Sequence, residues 1–465
     1  MATERSCMQL HELTALEQAH ALRCGQFSSE ELVRHYLDRV ALYNPQLHAF
    51  SHVAQRSALK QARHADQALR KLKGDEGPLF LGVPTGIKDL VPTRGQPTRL
   101  GSRAYRYMIS PSDGAVAGYI YAGGFISLGK LTTSEFGVLP TTEPEIHPPT
   151  RNPWDQARTP GGSSGGSGAA VAAGLLPLAH GSDGGGSVRI PSALCHLYGF
   201  KPSLSLLGNL HGKYNQLGLS VMGPLTRTVA DAAGMLDVMA RHPSKQSSTN
   251  SCLAACEQAL SPLKIALLTD STVGDVDEEI LNAVHDVAHV LEGMGHTVEP
   301  IAPADASLEE FLPVWQFAVS GVPALSEKLL MPVTRWLRES GKKLPFEQVE
   351  RIRQSMAQKV HNQLAEFDIC LSPTVPIPAP LVGDYDDPSN PRHWFEQCAP
   401  LGAFTAPFNL THGPAASLPG GLTSSGLPIG VQLAGHPGAD HLVLALSTKL
   451  EEALGWRATT CRLFG

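Results

Sequence analysis

Three residues framed by glycines could carry acyl-transfer chemistry: Lys88 in GVPTGIKDL, Ser163 in TPGGSSGGSGAA and Ser187 in GSDGGGSVRIPSALC. A serine hydroxyl is a weak nucleophile until a neighbouring group takes its proton, and no histidine accompanies either serine in a recognisable hydrolase motif. Lysine is therefore the candidate base, and the three residues read as a nucleophile with a proton relay. An ordinary lysine has a pKa of about 10.4, so its neutral form at pH 7 costs about 4.6 kcal/mol unless burial lowers that value. Val83, Ile87 and Leu90 give Lys88 apolar neighbours that disfavour the ammonium, while Asp89 would act the other way if it faced inward. Lys88 is expected in the turn after the apolar run Leu79 to Val83, so that three loops meet over one sheet.

The glycines before Ser187 leave backbone amides unobstructed, and VRIPSALC could open a helix whose N-terminus faces the same point. The amides of Gly184, Gly185, Gly186 and Ser187 then make a candidate oxyanion hole, where each well-placed donor is worth about 3 kcal/mol. A phosphate cradle would need a Lys-Ser or Lys-Thr ending, or GxGxxG at a strand-to-helix junction, and the chain has neither. Spacing alone does not choose between Ser163 and Ser164 as the partner of the lysine. Asp183 and Arg189 flank Ser187 and read as braces for its loop, since buried charges require partners.

The elements that must hold these residues show in the periodicity. Ser28 and Glu31 form a capping box before an amphipathic helix reaching Tyr43; Ala58, Ala62, Ala65, Leu69 and Leu72 continue at helical steps toward a stop at Gly74. From Leu79 the texture becomes short apolar runs, followed by helices such as Val229 to Ala240: an α/β protein with a largely buried sheet. Gly161 to Gly168 runs into AAVAAGLLPLA, which favours a tight loop and a buried helix over a flexible linker. Arg241 to Glu257 reads as a linker or exposed loop, LKIALL as a strand, Val276 to Gly295 as a helix, and Leu308 to about Glu366 as a long helical region broken near Gly341 to Pro345.

With 465 residues, 42% of them hydrophobic, the chain can bury a large core. It has no run of about 18 apolar residues and no basic segment followed by an apolar one at MATERSCMQLHE, so a cytoplasmic protein without a membrane span is expected. Eight cysteines do not make a dense disulfide framework, and reduced thiols are expected. A net charge of −6 without a basic stripe argues against nucleic-acid binding. None of the 19 histidines falls in a metal-ligand spacing, so neither metal nor cofactor is expected.

These motifs, in this order, resemble the amidase signature family, as do TRNPWD from Thr150, MGPLTRTVAD from Met222, PFNLTHGPAASLP and GLPIGVQLAG. Only about the third quarter of the chain looks unfamiliar. The resemblance implies a single domain over 1–465 with a large mixed central β-sheet covered by helices on both faces. Within it come N-terminal helices (1–75), a catalytic core (76–240), a variable substrate-selecting cap region (258–366) and a segment completing the core (367–465). It further implies that Ser187 is the nucleophile, Ser163 a bridging serine in a cis peptide linkage and Lys88 the base, with Ser164, Asp183 and Arg189 around them. The implied activity is hydrolysis of a carbon–nitrogen bond in a small-molecule amide, anilide, urea or carbamate (urethane), by a monomer or homodimer.

Two other readings stand beside it: the A subunit of a tRNA-dependent amidotransferase, and a catalytically silent binding protein. All three relay positions are present, which a binding scaffold would not require. The stretch NLHGKYNQLGLSVMGPLTRT lacks the SSLDQ that the amidotransferase pattern carries before GPLTRT. Substrate contacts are expected from Trp315 and Phe317 in the cap and from Tyr214 and Gln216 in the loop Leu207 to Leu219.

Overall fold

The computed structural model describes residues 9–72, 76–210, 212–240, 251–458 and 464. Its strands are β1 (Phe50–Val53), β2 (Pro84–Lys88), β3 (Ile126–Leu131), β4 (Leu178–Asp183), β5 (Tyr198–Lys201), β6 (Val221–Thr226), β7 (Lys264–Leu267), β8 (Thr297–Pro300), β9 (Ile369–Pro373), β10 (Ala415–Leu422) and β11 (Pro428–Gly435). Eight of them form one mixed sheet in the order β4-β6-β5-β10-β11-β9-β7-β8, with β7 parallel to β8 and β9 and the other pairs antiparallel. The order β1-β3-β2 makes a second, three-stranded sheet. The lysine and the serines therefore do not share one sheet, as the sequence suggested. They meet where β2 lies against the edge strand β4, joined by bonds from Thr85 Oγ1 to Leu178 O (3.3 Å) and from Lys88 Nζ to Ser182 O (3.3 Å).

Helices cover the large sheet on both sides. A Cβ on Gly430 of β11 would overlap Ala193 in the helix Arg189–Leu194, and one on Gly435 would lie 3.2 Å from Val443 in the helix Asp440–Leu454. Residues an odd number apart on a strand face opposite ways, so the two helices lie on opposite faces. The core is a continuous cluster of buried apolar side chains running from the N-terminal helices through both sheets to Leu450.

Local expectations hold where the signal is local. The Ser28 capping box opens the helix Ser29–Leu47, and Ala58, Ala62 and Ala65 form the buried face of the helix Gln55–Leu69. The expected stop at Gly74 lies outside the described residues. The glycine-rich stretch does enter a buried helix, Gly165–Ala172. A Cβ on Gly166 would overlap the backbone of Thr132, so the glycine is required by close approach.

Two expectations are corrected. In the proposed exposed segment, 241–250 lies outside the described residues, but Cys252–Ala255 is a helix with Cys252 and Ala255 buried. Asp237 caps it by accepting from Cys252 N–H at 2.7 Å, a long-range partner that local composition does not reveal. Of the expected cap region 258–366, β7 and β8 are strands of the large sheet, so the expectation of a cap rests on the helices Leu308–Ser320, Pro332–Gly341 and Phe346–Gln363 alone. The first two of these pack so closely that a Cβ on Gly341 would overlap Gln316 O.

Candidate active site

Lys88 is the last residue of β2 rather than part of the turn after it, so a strand fixes the direction of its side chain. It is fully buried, and its Nζ donates to Ser163 Oγ at 2.7 Å and to Ser182 Oγ at 3.1 Å. Burial pulls its pKa down to about 7, against the opposing pull of Asp183. Asp89 does face inward, but onto Lys130 Nζ at 3.3 Å, so the carboxylate acting on Lys88 is Asp183. A second buried lysine, Lys201, also has its pKa lowered to about 7 by burial; it donates to the carbonyls of Pro202 and Gly413.

Ser163 follows a cis peptide bond from Gly162 and is buried beneath the lysine. Geometry separates the two serines that spacing left equivalent. Ser164 turns away from the lysine: its Oγ donates to Ser182 O (3.2 Å) and its N–H to Ser187 O (3.2 Å), fixing the backbone at Ser187.

Ser187 sits between the end of β4 and the helix Arg189–Leu194, and it retains 8% exposure where Lys88 has none. Gly186 has φ 128°, and a Cβ there would overlap Thr405 Oγ1, so both conformation and space demand glycine. The expected oxyanion donors are reduced by one, because Gly186 N–H donates to Asp183 Oδ1 at 2.8 Å. The helix start likewise faces Asp183 instead of the cavity, with Val188 N–H and Arg189 N–H donating to Oδ2 at 3.1 and 3.4 Å. Gly184, Gly185 and Ser187 remain as candidate donors.

Asp183 and Arg189 are fully buried and paired through two bonds, Nε to Oδ2 at 2.9 Å and Nη2 to Oδ1 at 2.8 Å. Burial pushes the Asp183 carboxyl up, but the Arg189 guanidinium outweighs it and holds the group well below the usual carboxylate range. Arg189 also donates to Thr405 O (2.8 Å), Gln432 Oε1 (2.8 Å) and Asn409 Oδ1 (2.7 Å), and Asn409 Nδ2 donates to Asp183 O and Leu219 O at 3.0 Å. Thr405 Oγ1 donates to Gly185 O at 2.7 Å. The Gly185–Gly186 peptide is thus held at both ends, its carbonyl by Thr405 and its N–H by Asp183.

Sequence reasoning missed Ser182, Thr405, Asn409 and Gln432. Polar side chains inside apolar stretches, Asn409 in PFNL and Gln432 in GVQLA, were the available signal, since burial obliges such groups to find partners.

Two cavities meet at Ser187. The first, about 560 Å³, is lined by Ser163, Ser182, Gly184, Met108, Tyr214 and Asn215 among others. The second, about 160 Å³, is lined by Gly185, Ile190, Phe311, Phe395 and Phe404 among others. Val138, Ser187 and Trp315 line both. Of the four expected substrate contacts, Tyr214 and Trp315 reach the first cavity. Phe317 does not: two residues on from Trp315 the helix has turned to its other side, where Phe317 packs on Phe346 at 5.9 Å between centroids and shares a separate depression with Gln216. Among the described residues, no cluster of side chains suits a metal ion, and no helix is long and apolar enough to cross a membrane.

Residues 31–444 match the Amidase family. The chain belongs to the amidase signature family. A Synechocystis sp. protein provisionally named as an amidase is 35% identical, the match covering 95% of this chain and 88% of that one. The A subunit of the Pseudomonas aeruginosa glutamyl-tRNA(Gln) amidotransferase is 34% identical over 97% of this chain and 99% of its own. Among solved structures, 6-aminohexanoate cyclic dimer hydrolase complexed with substrate superposes with a TM-score of 0.89 at 29% identity, covering 98% of this chain and all of that one. A bacterial aryl acylamidase gives 0.86 at 26% identity, with 96% and 97% covered.

Proposed function

We propose that this amidase-signature protein is a serine amidase that hydrolyses neutral small-molecule amides, anilides or carbamates through an acyl-enzyme on Ser187. One observation carries the reading: a fully buried lysine, held to about pKa 7, lies 2.7 Å from a serine that lines the same cavity as Ser187. With its pKa lowered so far by burial, Lys88 is neutral near pH 7 far more readily than an ordinary lysine, so most of the cost of using it as a base is removed. Ser187 Oγ adds to the substrate carbonyl carbon while its proton passes to Ser163, whose own proton goes to Lys88 Nζ. The tetrahedral oxyanion is met by the amides of Gly184, Gly185 and Ser187. The C–N bond breaks as the chain runs backward and the amine takes a proton. Water then attacks the acyl-enzyme by the same relay and releases the acid.

The amidotransferase subunit is the second reading, favoured by 34% identity over nearly the whole chain. Against it, no charged side chain among the described residues lines the first cavity, and Asp270, exposed, is the one lining the second. Glutamine would bring an ammonium and a carboxylate that need partners when desolvated.

The deciding experiment is a fluorophosphonate label followed by peptide mapping, with turnover of p-nitroanilides. Ser187 should carry the adduct, and Ser187→Ala should fold and lose turnover by several orders of magnitude. Labelling at Ser163 or Ser164 with Ser187 spared would reject the assignment. Glutaminase activity appearing with a copurifying subunit would favour the second reading.

A further inference from the structure

Resting on that reading, we infer that Trp315 divides the substrate into two arms, the leaving amine occupying the cavity of Ser163 and an apolar acyl chain occupying the cavity of Phe311 and Phe395. The argument begins with the proton. When the C–N bond of the tetrahedral intermediate breaks, the nitrogen must gain a proton, and in the proposed relay the hydroxyl that gives it is that of Ser163, which is resupplied from Lys88. Ser163 and Ser182 line the first cavity and not the second. A nitrogen within reach of Ser163 therefore directs its substituent into the first cavity. The acyl substituent leaves the carbonyl carbon on the other side of Ser187, where the second cavity begins.

The lining of each cavity fits its arm. The acyl side presents mainly apolar groups, Phe311, Phe395, Phe404 and Phe408 beside the polar Asp270 and Gln363, and it is the smaller of the two at about 160 Å³ against about 560 Å³. That surface suits a hydrocarbon chain of limited bulk. The amine side mixes Tyr105, Met108 and Tyr214 with Thr98, Asn215 and Ser220, which suits a bulkier neutral amine with polar substituents. Trp315 is placed as the partition at the reacting carbon. Its six-membered ring lies 3.6 to 3.7 Å from where side chains on Gly184 and Gly185 would begin, and Phe311 of the acyl side stacks on it at 6.0 Å between centroids. The substrate class assigned is thus a secondary amide or anilide joining an apolar acyl group of limited bulk to a larger uncharged amine.

Two substrate series separate the arms: acyl chains of increasing length on one p-nitroaniline leaving group, and amines of increasing bulk on one butyryl group. Ala304→Phe narrows the second cavity and should cut kcat/KM for the longest acyl chains by about tenfold or more, while the ranking of amines stays as in the wild type. Ala318→Phe narrows the first cavity and should penalise bulky amines to a similar degree, with the deacylation rate of a given acyl-enzyme as in the wild type, because the amine has already left. Phe311→Ala and Met108→Ala, which widen the second and the first cavity, should extend tolerance in the acyl and the amine series respectively, and they keep the test decisive if a filling variant folds poorly. The reverse pattern, or equal losses in both series, overturns the assignment of arms. A wild-type protein that forms no acyl adduct at Ser187 would instead overturn the amidase reading on which it rests.

Discussion

Burial disfavours the ammonium form of Lys88, which lies fully inside the protein against Ser163 and Ser182. Since burial lowers its pKa from 10.5 to about 7, kcat/KM should climb with pH as the free enzyme loses the lysine proton and level off above about pH 7. Lys88→Met should remove that dependence together with orders of magnitude in rate, and Lys88→Arg should not restore it, because arginine stays protonated. The linkage has a definite sign. Between about pH 7 and 10.5 the unfolded chain binds the lysine proton and the folded chain does not, so wild-type stability rises with pH across that window. Lys88→Met should accordingly be the more stable protein below about pH 7, with its advantage shrinking toward pH 10.5, as urea titrations at several pH values would show. Thr405 belongs to the same scale as a positioning residue. Thr405→Val removes the 2.7 Å bond to Gly185 O at little change in volume. Its kcat should fall by about ten- to a hundredfold with KM near the wild-type value, while Thr405→Ser keeps most of the activity.

At the scale of elements, the proposed substrate selection would depend on how the helix Leu308–Ser320, which carries Trp315, is seated. Gly341 allows the helix Pro332–Gly341 to touch its backbone, and a Cβ at that position would overlap Gln316 O. Gly341→Ala should force the helices apart and displace Trp315. The expected result is a lower Tm and a raised KM for bulky anilides, with a small activated ester still acylating Ser187 at close to the normal rate. An equal loss on ester and anilide would mean that the displacement reaches the relay itself. The contrast between Trp315 and Phe317 has the same origin. Both are large and apolar, but the turn of one helix sends the first to the cavities and the second to Phe346.

The whole molecule is tied together beneath the site by Arg189. Its guanidinium joins the end of β4 through Asp183, the 405–409 segment through Thr405 and Asn409, and β11 through Gln432, so segments more than two hundred residues apart are held by one buried ion pair and its hydrogen bonds. Arg189→Lys cannot reproduce the fork and would leave Asp183 and Gln432 short of partners. Removing the charge outright, as Arg189→Met does, should cost about 3–5 kcal/mol by denaturant unfolding and Arg189→Lys less, and turnover should fall in both because Asp183 also holds Gly186 N–H.

The sequence by itself determined the family and the local elements. Lys88, Ser163 and Ser187 stand out as candidates because their glycine-framed motifs, in that order, resemble the amidase signature, and glycines mark where a loop needs unusual backbone freedom. The Ser28 capping box and the alanine stripe of the helix Gln55–Leu69 are legible because their partners lie within a few residues. The tertiary structure alone decided what depends on distant partners. It showed that Asp89 meets Lys130 while Asp183 acts on Lys88, that Ser163 and not Ser164 touches the lysine, and that Gly186 N–H is committed to Asp183. It also showed that β7 and β8 belong to the sheet and that Trp315 lines two cavities that meet at Ser187. In each of these cases the deciding neighbour arrives from another part of the chain, and neither spacing nor periodicity carries its direction.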